Sequence, residues 1–149
     1  MDREQLLGAW ELVSFAAVDS KTGERFYPLG PDATGFILYT GDGYMSAQIM
    51  AQGRADYDVS DFAGGTPAQL AAAASGYMAY SGPYDFDERT GTVRHHLEVS
   101  LLPNWLNTVQ VRDESLDGER LTLSAEDKRP DTTVSATVEW KRPAHRNLQ

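Results

Sequence analysis

Two adjacent histidines, His95 and His96, open the segment HHLEVSLLPNW, and Glu98 follows two residues later. Imidazole has an ordinary pKa close to neutral pH, so either histidine could give or take a proton in a reaction. Successive side chains of a β-strand point to opposite faces, so the two histidines cannot bind one metal ion together. His96 and Glu98 share a face, but the sequence marks no third ligand beside them. We therefore predict acid–base chemistry from these three residues and no metal site.

No other catalytic motif accompanies the histidines. No serine lies in a nucleophile elbow, the chain has no cysteine, and no lysine or helix follows its glycine-rich turns as a phosphate loop requires. The alternative for the doublet is packing, with one histidine exposed and the other satisfied by a hydrogen bond in the core. A single inward histidine also allows a weaker hypothesis, haem binding; otherwise we expect no cofactor.

Turn signals recur at short intervals along the chain, with apolar or alternating runs between them, as in an antiparallel sandwich or barrel. The predicted strands cover residues 8–18, 35–40, 44–51, 77–86, 92–102, 108–116, 120–127 and 132–140. The segment 25–32 contains two prolines, so it is an edge strand or a connector.

One helix interrupts the strands. Thr66 is the predicted N-cap, Pro67 opens the helix, Gln69 completes a capping box and Gly76 ends it, so the helix covers about 66–75. The polar loop 51–65 precedes it. A loop and helix of this length between strands either cover a binding site or only plug one end of the barrel.

The alternation of apolar residues predicts which strand faces look inward. In strand 77–86 the predicted inward residues are Met78, Tyr80, Gly82, Tyr84 and Phe86. In strand 132–140 they are Val134, Ala136, Val138 and Trp140. Apolar patterning alone puts His95 inside and His96 outside. The cavity of a ligand-binding barrel can also be lined by the more polar face, so we favour His96 and Glu98 in the cavity.

Composition restricts the class of protein. The net charge is −9, from 13 basic and 22 acidic residues, so a nucleic-acid footprint is missing. No apolar run reaches the ~18 residues of a membrane span. The N-terminus is not patterned as a signal peptide, and without cysteine there are no disulfides, so we expect a cytoplasmic protein.

With 149 residues we expect one domain, 1–149, with an ordered core of about 6–142 and a flexible tail, 143–149. We expect the protein to be a monomer or a homodimer.

Several motifs together resemble the bacterial lipocalin-like domain family. They are GAW after the short helical segment REQLL, YPLGPDATGFILYTGDGYMSAQIM, YMAYSGPY, VRHHLEVSLLPNW, VQVR and TVEWKR, spread from Leu6 to Arg142. The resemblance implies an eight-stranded up-and-down β-barrel of the calycin type with an internal pocket. It says less about activity, since a fold does not fix a function.

The combined prediction is a barrel that binds a hydrophobic or amphipathic small molecule. We expect it to act as a cofactor-independent cyclase or isomerase on a natural-product intermediate such as a polyketide, with a histidine moving the proton. The alternative is a carrier or sensor without chemistry, with the loop 51–65 gating access. The predicted ligand-binding residues are Trp10, Tyr39, Tyr44, Ser46, Gln48, Met78, Tyr80, Tyr84, Trp105 and Arg112.

Overall fold

The structure is a computed structural model that describes residues 2–146. Its elements are α1 (Arg3–Leu6), β1 (Gly8–Asp19), β2 (Arg25–Phe26), β3 (Thr34–Tyr39), β4 (Tyr44–Met50), α2 (Pro67–Ser75), β5 (Tyr77–Asp87), β6 (Thr92–His96), β7 (Val99–Ser100), a 3-10 helix (Pro103–Trp105), β8 (Val109–Asp117), β9 (Arg120–Lys128) and β10 (Thr133–Lys141). Part of the predicted tail, 147–149, lies outside the described residues.

The strands form a closed antiparallel barrel. The order around it is β1, β3, β4, β5, β6, β8, β9 and β10, and β10 pairs with β1 to close the ring. The two shortest strands are additions, since β2 pairs with β1, and β7 pairs with β5. The predicted eight-stranded barrel with an inserted helix is confirmed, and α2 has the predicted capping box.

One end of the barrel is closed by α1. Leu6 and Trp10 are buried there, and the indole Nε1–H of Trp10 donates to the Leu6 carbonyl at 2.8 Å. The Arg142 guanidinium lies over the indole ring, 3.7 Å from its centroid, and donates to the carbonyls of Ala9 and Gln5. These contacts tie the last strand to the first, and we call this end the closed end.

The opposite end, called the open end, carries α2 and the 3-10 helix. β4 and β6 finish at this end, and β5 and β8 begin there, so the long connections 51–76 and 97–108 both lie at this end. The backbone N–H of Ala51 donates to the Gly76 carbonyl, which joins the end of β4 to the start of β5. No residue of α2 is buried, so the helix is lightly packed against the barrel.

Two irregularities decide which side chains face inward. The register of β1 against β10 shifts between Leu12 and Ser14, and this bulge explains why both faces of the segment 8–18 are partly apolar. The predicted strand 92–102 is broken into β6 and β7 after His96. At the break, a Cβ on Gly82 would lie 1.8 Å from the His96 carbonyl oxygen, so only glycine allows this close approach.

Candidate functional site

His95 lies in the barrel interior between two tyrosine hydroxyls. It is fully buried on β6. Its Nε2 is 2.7 Å from the hydroxyl of Tyr39 on β3, and its Nδ1 is 2.9 Å from the hydroxyl of Tyr80 on β5. A neutral imidazole has one N–H donor and one acceptor nitrogen, so one tyrosine donates to the ring and the other accepts from it. We call these three residues the Tyr–His–Tyr chain.

The Tyr–His–Tyr chain is uncharged at neutral pH. Burial lowers the pKa of His95 to about 3, and the positive charge of Arg112 acts in the same direction. Burial also raises the pKa of the Tyr39 and Tyr80 hydroxyls above the ordinary tyrosine value. In a low-dielectric interior the neutral form of each group is favoured. The imidazole is therefore a weak base at pH 7, held by hydrogen bonds on both nitrogens.

A small cavity lies beside Tyr80 inside the barrel. Its volume is about 70 Å³, room for roughly two water molecules of ~30 Å³ each. Its wall is apolar except at Tyr80, at the guanidinium of Arg112 and at the indole of Trp140. Trp140 is almost fully buried, and its Nε1 has no hydrogen-bond partner among residues 2–146. The cavity is thus an apolar space with a few polar groups, all of which carry donors.

Arg112 brings a positive charge to this wall from β8. Its Nη1 donates to the Val111 carbonyl at 3.0 Å, and its Nη2 donates to Oε1 of Gln110 at 2.9 Å. Over the described range, no carboxylate forms an ion pair with this guanidinium. Its charge is therefore available to an electron-rich group in the cavity.

An apolar groove lies outside the open end, between α2 and the 3-10 helix. Its volume is about 500 Å³. Met78 lines both the groove and the cavity, so its flexible side chain is shared by the two spaces. Trp105 lines the groove and packs edge-on against the Tyr80 ring, with 6.1 Å between the ring centroids. Met78 and Trp105 are thus the side chains between the groove and the interior.

The predicted catalytic residues do not share a face. The expectation that His96 and Glu98 lie in the cavity was wrong, because β6 keeps its apolar face inward, with Val93, His95 and Leu97 buried. His96 lies on the outer surface, where its Nε2 is 2.8 Å from the Asp85 carboxylate. Glu98 is exposed. The three residues cannot act together at one internal site.

The outer cluster around His96 has its own electrostatics. Asp85 accepts from Nη1 of Arg94 at 2.9 Å as well as contacting His96. The hydrogen bond with His96, followed by that with Arg94, holds the pKa of the Asp85 carboxyl below its usual value. All three side chains are 40% to 52% exposed, so this is a surface ion-pair cluster of small energetic weight.

The predicted ligand residues of β4 do not face the barrel interior. Met45, Ala47 and Ile49 are buried, whereas the predicted ligand residues Tyr44, Ser46 and Gln48 point away from the barrel interior. The more apolar set lies inside because it packs against the core, as simple alternation requires. Ser46 and Gln48 instead line an open apolar pocket on the outer surface, of about 470 Å³, together with Phe36, Leu38 and Met50.

Four further predicted ligand residues are buried or half-buried without lining the cavity. Trp10 closes the closed end, and Tyr39 lies behind His95. Tyr84 packs edge-on against Tyr39 at 4.9 Å between centroids, and its hydroxyl donates to the Thr40 carbonyl at 3.0 Å. Trp105 lines the groove.

Met78, Tyr80 and Arg112 do line the cavity, and their contact with a ligand stays a prediction.

The remaining cavity residues were not predicted as ligand residues. They are Phe15, Ile37, Ala47, Ile49, Leu123, Ala125, Ala136, Val138 and Trp140. The inward alternation of the predicted strand 132–140 already grouped Ala136, Val138 and Trp140 together, so this part of the wall could have been found. Phe15 faces the cavity only because of the bulge in β1, which no turn residue marks.

Residues 2–146 contain no group of three or more histidine, aspartate or glutamate side chains placed to hold a metal ion. No helix among them has both the length and the apolar character needed to cross a bilayer.

The fold and the cavity define a small closed β-barrel with an internal, mostly apolar space. The chain belongs to the lipocalin-like domain family, whose model matches residues 7–143. The family resemblance of the sequence motifs is therefore confirmed at the level of the domain.

A characterised relative comes from Aspergillus oryzae (strain ATCC 42149 / RIB 40). It is named 4'-hydroxy-3'-methoxypropiophenone carrier protein, and it is 37% identical to this chain over 86 residues. The match covers 54% of this chain and 78% of the relative. The barrel and this relative together support the binding of a small molecule.

Proposed function

We propose that the protein is a carrier that holds a small, largely apolar molecule inside its barrel. The observation that carries the proposal is the internal cavity, whose apolar wall is broken by Tyr80 and Arg112. An apolar cavity with a few oriented polar groups is the usual form of a small-molecule site, because the wall supplies affinity and the polar groups fix orientation.

The name of the relative supports a carrier role. That protein is a carrier of a methoxylated hydroxypropiophenone, a flat aromatic ketone. A molecule of this kind has an apolar ring for the cavity wall and oxygen atoms for polar groups. We propose that the ligand of this chain is likewise a small amphipathic molecule, hydrophobic over most of its surface.

Binding requires the cavity to enlarge. Its volume of about 70 Å³ is well below the ~300 Å³ at the lower end of small-molecule sites. Met78 borders both the cavity and the groove, so a change of its rotamer would join the two spaces. We propose that the ligand enters past Met78 and Trp105 rather than through the closed end, where Arg142 ties the strands together.

A cyclase or isomerase acting on a natural-product intermediate such as a polyketide is the second candidate. The observation that favours it is the pair Tyr80 and Arg112, whose donors could stabilise negative charge developing on a substrate oxygen. The acid–base part has less support, because His95 has a pKa of about 3 and both its nitrogens are hydrogen-bonded. The same two bonds leave no ring nitrogen for a haem iron.

Calorimetric titration with 4'-hydroxy-3'-methoxypropiophenone tests the carrier proposal. We expect saturable binding with one site per chain. Ala136→Leu should weaken it at least about tenfold, because leucine would fill part of the cavity. Thr137→Leu is the matched control, since Thr137 is the next residue of β10 and is exposed. Equal affinities for the two variants, or no binding by the wild type, would contradict the proposal.

The same samples separate a carrier from an enzyme. Ligand recovered after incubation should be chemically unchanged when it is analysed by chromatography and mass spectrometry. A new product of equal mass, formed by the wild type and not by Ala136→Leu, would instead favour the isomerase.

We also propose a cytoplasmic location. The chain contains no cysteine, so nothing in its covalent structure depends on an oxidising compartment. Fractionation of the source cells, followed by immunodetection, tests this proposal, and recovery outside the cytoplasmic fraction would contradict it.

A further inference from the structure

The hydroxyls of Tyr39 and Tyr80 each have His95 as their one hydrogen-bond partner among residues 2–146, but only Tyr80 lines the cavity. The Tyr39 hydroxyl contacts Nε2 of His95 at 2.7 Å and forms no other hydrogen bond within the described range. Tyr39 is 2% exposed, so water does not reach it. A buried O–H group without an acceptor costs stability, whereas a hydroxyl that donates its proton and leaves its oxygen lone pairs unpaired costs little. The stable arrangement is therefore the one in which the Tyr39 O–H donates to the imidazole.

This arrangement determines the tautomer of His95. If Tyr39 donates to Nε2, then Nε2 is the bare acceptor nitrogen and the ring proton sits on Nδ1. Nδ1–H then donates to the hydroxyl oxygen of Tyr80 at 2.9 Å. In the opposite tautomer Nε2–H would donate to Tyr39, and the Tyr39 proton would be left in the core without an acceptor. In the Nδ1–H form the spare hydroxyl proton belongs to Tyr80 instead, and Tyr80 borders the cavity whereas Tyr39 does not. This difference in the surroundings of the two hydroxyls selects the Nδ1–H form.

In this tautomer the hydroxyl of Tyr80 has a proton that is free to bind a ligand. Its oxygen is used as an acceptor, so its own O–H is left to donate elsewhere, and Tyr80 lines the cavity. The other polar groups of the wall are donors too. Only two of the five N–H groups of Arg112 have partners among residues 2–146, and Nε1 of Trp140 has none there. The one remaining heteroatom is the thioether of Met78, a weak acceptor.

We propose that the cavity selects a ligand bearing an acceptor oxygen, such as a ketone or another carbonyl group, and that the Tyr80 O–H is the specificity-determining donor. Tyr39 and His95 are positioning residues, because they orient that O–H without touching the ligand. The inference rests on the proposed carrier function. It adds the polarity of the ligand, since donor-lined walls favour an oxygen that only accepts and disfavour a hydrocarbon of the same shape.

A pair of near-isosteric probes tests the selection. Propiophenone and propylbenzene have the same carbon skeleton, and the C=O group of the first is a CH2 group in the second. Each is titrated by calorimetry into the intact protein. We expect the wild type to bind propiophenone at least about tenfold more tightly. Tyr80→Phe should remove most of this preference by weakening propiophenone binding, with little change for propylbenzene.

Tyr84→Phe is the matched control. Tyr84 is an inward tyrosine of the same strand, and its hydroxyl donates to the Thr40 carbonyl rather than lining the cavity. This variant should keep the preference for propiophenone. If the wild type binds both probes equally, or Tyr80→Phe and Tyr84→Phe behave alike, the donor assignment is overturned while the carrier function stands. If neither probe nor 4'-hydroxy-3'-methoxypropiophenone binds, the carrier function itself is overturned, and the inference falls with it.

A second measurement needs no variant and covers the case in which Tyr80→Phe fails to fold. Long-range proton–nitrogen NMR of the histidine rings distinguishes a protonated ring nitrogen from a bare one. We expect Nδ1 of His95 to carry the proton and Nε2 to be bare. A proton on Nε2 would reverse the chain and overturn the assignment of Tyr80 as donor.

Discussion

The imidazole Nε2 of His95 and the hydroxyl of Tyr39 lie 2.7 Å apart in a part of the barrel from which water is excluded. With Tyr80 on the other ring nitrogen, both nitrogens of the neutral ring have a hydrogen-bond partner. A protonated ring would donate to both hydroxyls, and the imidazole would then accept neither the Tyr39 nor the Tyr80 proton. The main role of His95 is therefore to hold the two tyrosine hydroxyls by hydrogen bonds rather than to transfer a proton.

The stability of the protein should depend on pH through His95. The pKa of His95 is about 3 in the folded chain and about 6.5 when unfolded. Above pH 6.5 the ring is neutral in both the folded and the unfolded state, so His95 causes no loss of stability. As the pH falls below 6.5, the unfolded state binds a proton at His95 and the folded state does not. The free energy of unfolding should fall by up to about 1.4 kcal/mol per pH unit between pH 6 and 4.

Urea unfolding from pH 8 to pH 4 measures this slope. His95→Gln, which cannot titrate, should be less stable at pH 7 but show a shallower slope below pH 6. His145→Gln is the control, because His145 is exposed near the end of the described chain. A slope that His95→Gln shares with the wild type would show that the pH dependence comes from elsewhere.

Glu114 offers a pH effect of the opposite sign. It lies on the inward face of β8, its Oε1 is buried without a partner among residues 2–146, and burial raises the pKa of its carboxyl. A raised carboxyl pKa means that ionisation costs stability as pH rises. Glu114→Gln should therefore raise the melting temperature by about two degrees at pH 8 and not at pH 4.

Calorimetric scans at the two pH values check this effect. Glu126→Gln, an exposed acidic residue on β9, is the comparison that removes the same charge from the surface. If it stabilises the protein as much as Glu114→Gln, the gain comes from net charge rather than from burial.

Gly82 should not tolerate a side chain. A Cβ there would lie 1.8 Å from the His96 carbonyl oxygen and 3.0 Å from its carbon. Gly82→Ala would have to separate β5 from the break between β6 and β7, and we expect a loss of about 3 kcal/mol or more. Chemical denaturation measures this loss. Gly41→Ala provides the contrast, since nothing lies within 4 Å of the added carbon, and it should be close to neutral.

Arg142 should stabilise the closed end through geometry as well as charge. Its guanidinium lies 3.7 Å from the Trp10 ring centroid and donates to two carbonyls. Arg142→Ala should cost about 2 kcal/mol. Arg142→Lys should restore only part of this, because an ammonium lacks the planar fork. Lys141→Ala, at the exposed neighbour, should have little effect in the same thermal unfolding experiment.

The strands could be located from the sequence because turn chemistry marks their ends. The helix predicted at 66–75 and the strand predicted at 77–86 agree with α2 and β5 within one residue, as capping residues and glycines predict. The inward set of β5, with Tyr80 and Tyr84, followed from strict alternation. These are local signals, read from neighbouring residues alone.

The site was harder to predict because both faces of some strands carry apolar residues. The outward face of β4 carries Ser46 and Gln48, and on the neighbouring strand β3 Phe36 and Leu38 lie beside them. This mixture of polar and apolar residues resembles a ligand pocket, and a pocket does lie there, but on the outer surface. On β6 the proximity of His96 to Glu98 suggested chemistry, whereas the apolar alternation that favoured His95 was the better guide. The partners of His95, Tyr39 above all, come from strands that only the closed barrel brings together.

The most direct test of the central claim is where the ligand sits. The pairs Ile37 and Leu38, and Ile49 and Met50, are sequence neighbours that face opposite sides of the barrel wall. In a complex with 4'-hydroxy-3'-methoxypropiophenone, methyl NMR should give nuclear Overhauser contacts from the ligand to Ile37 and Ile49. Contacts to Leu38 and Met50 instead would place the ligand in the outer pocket and contradict an internal binding site.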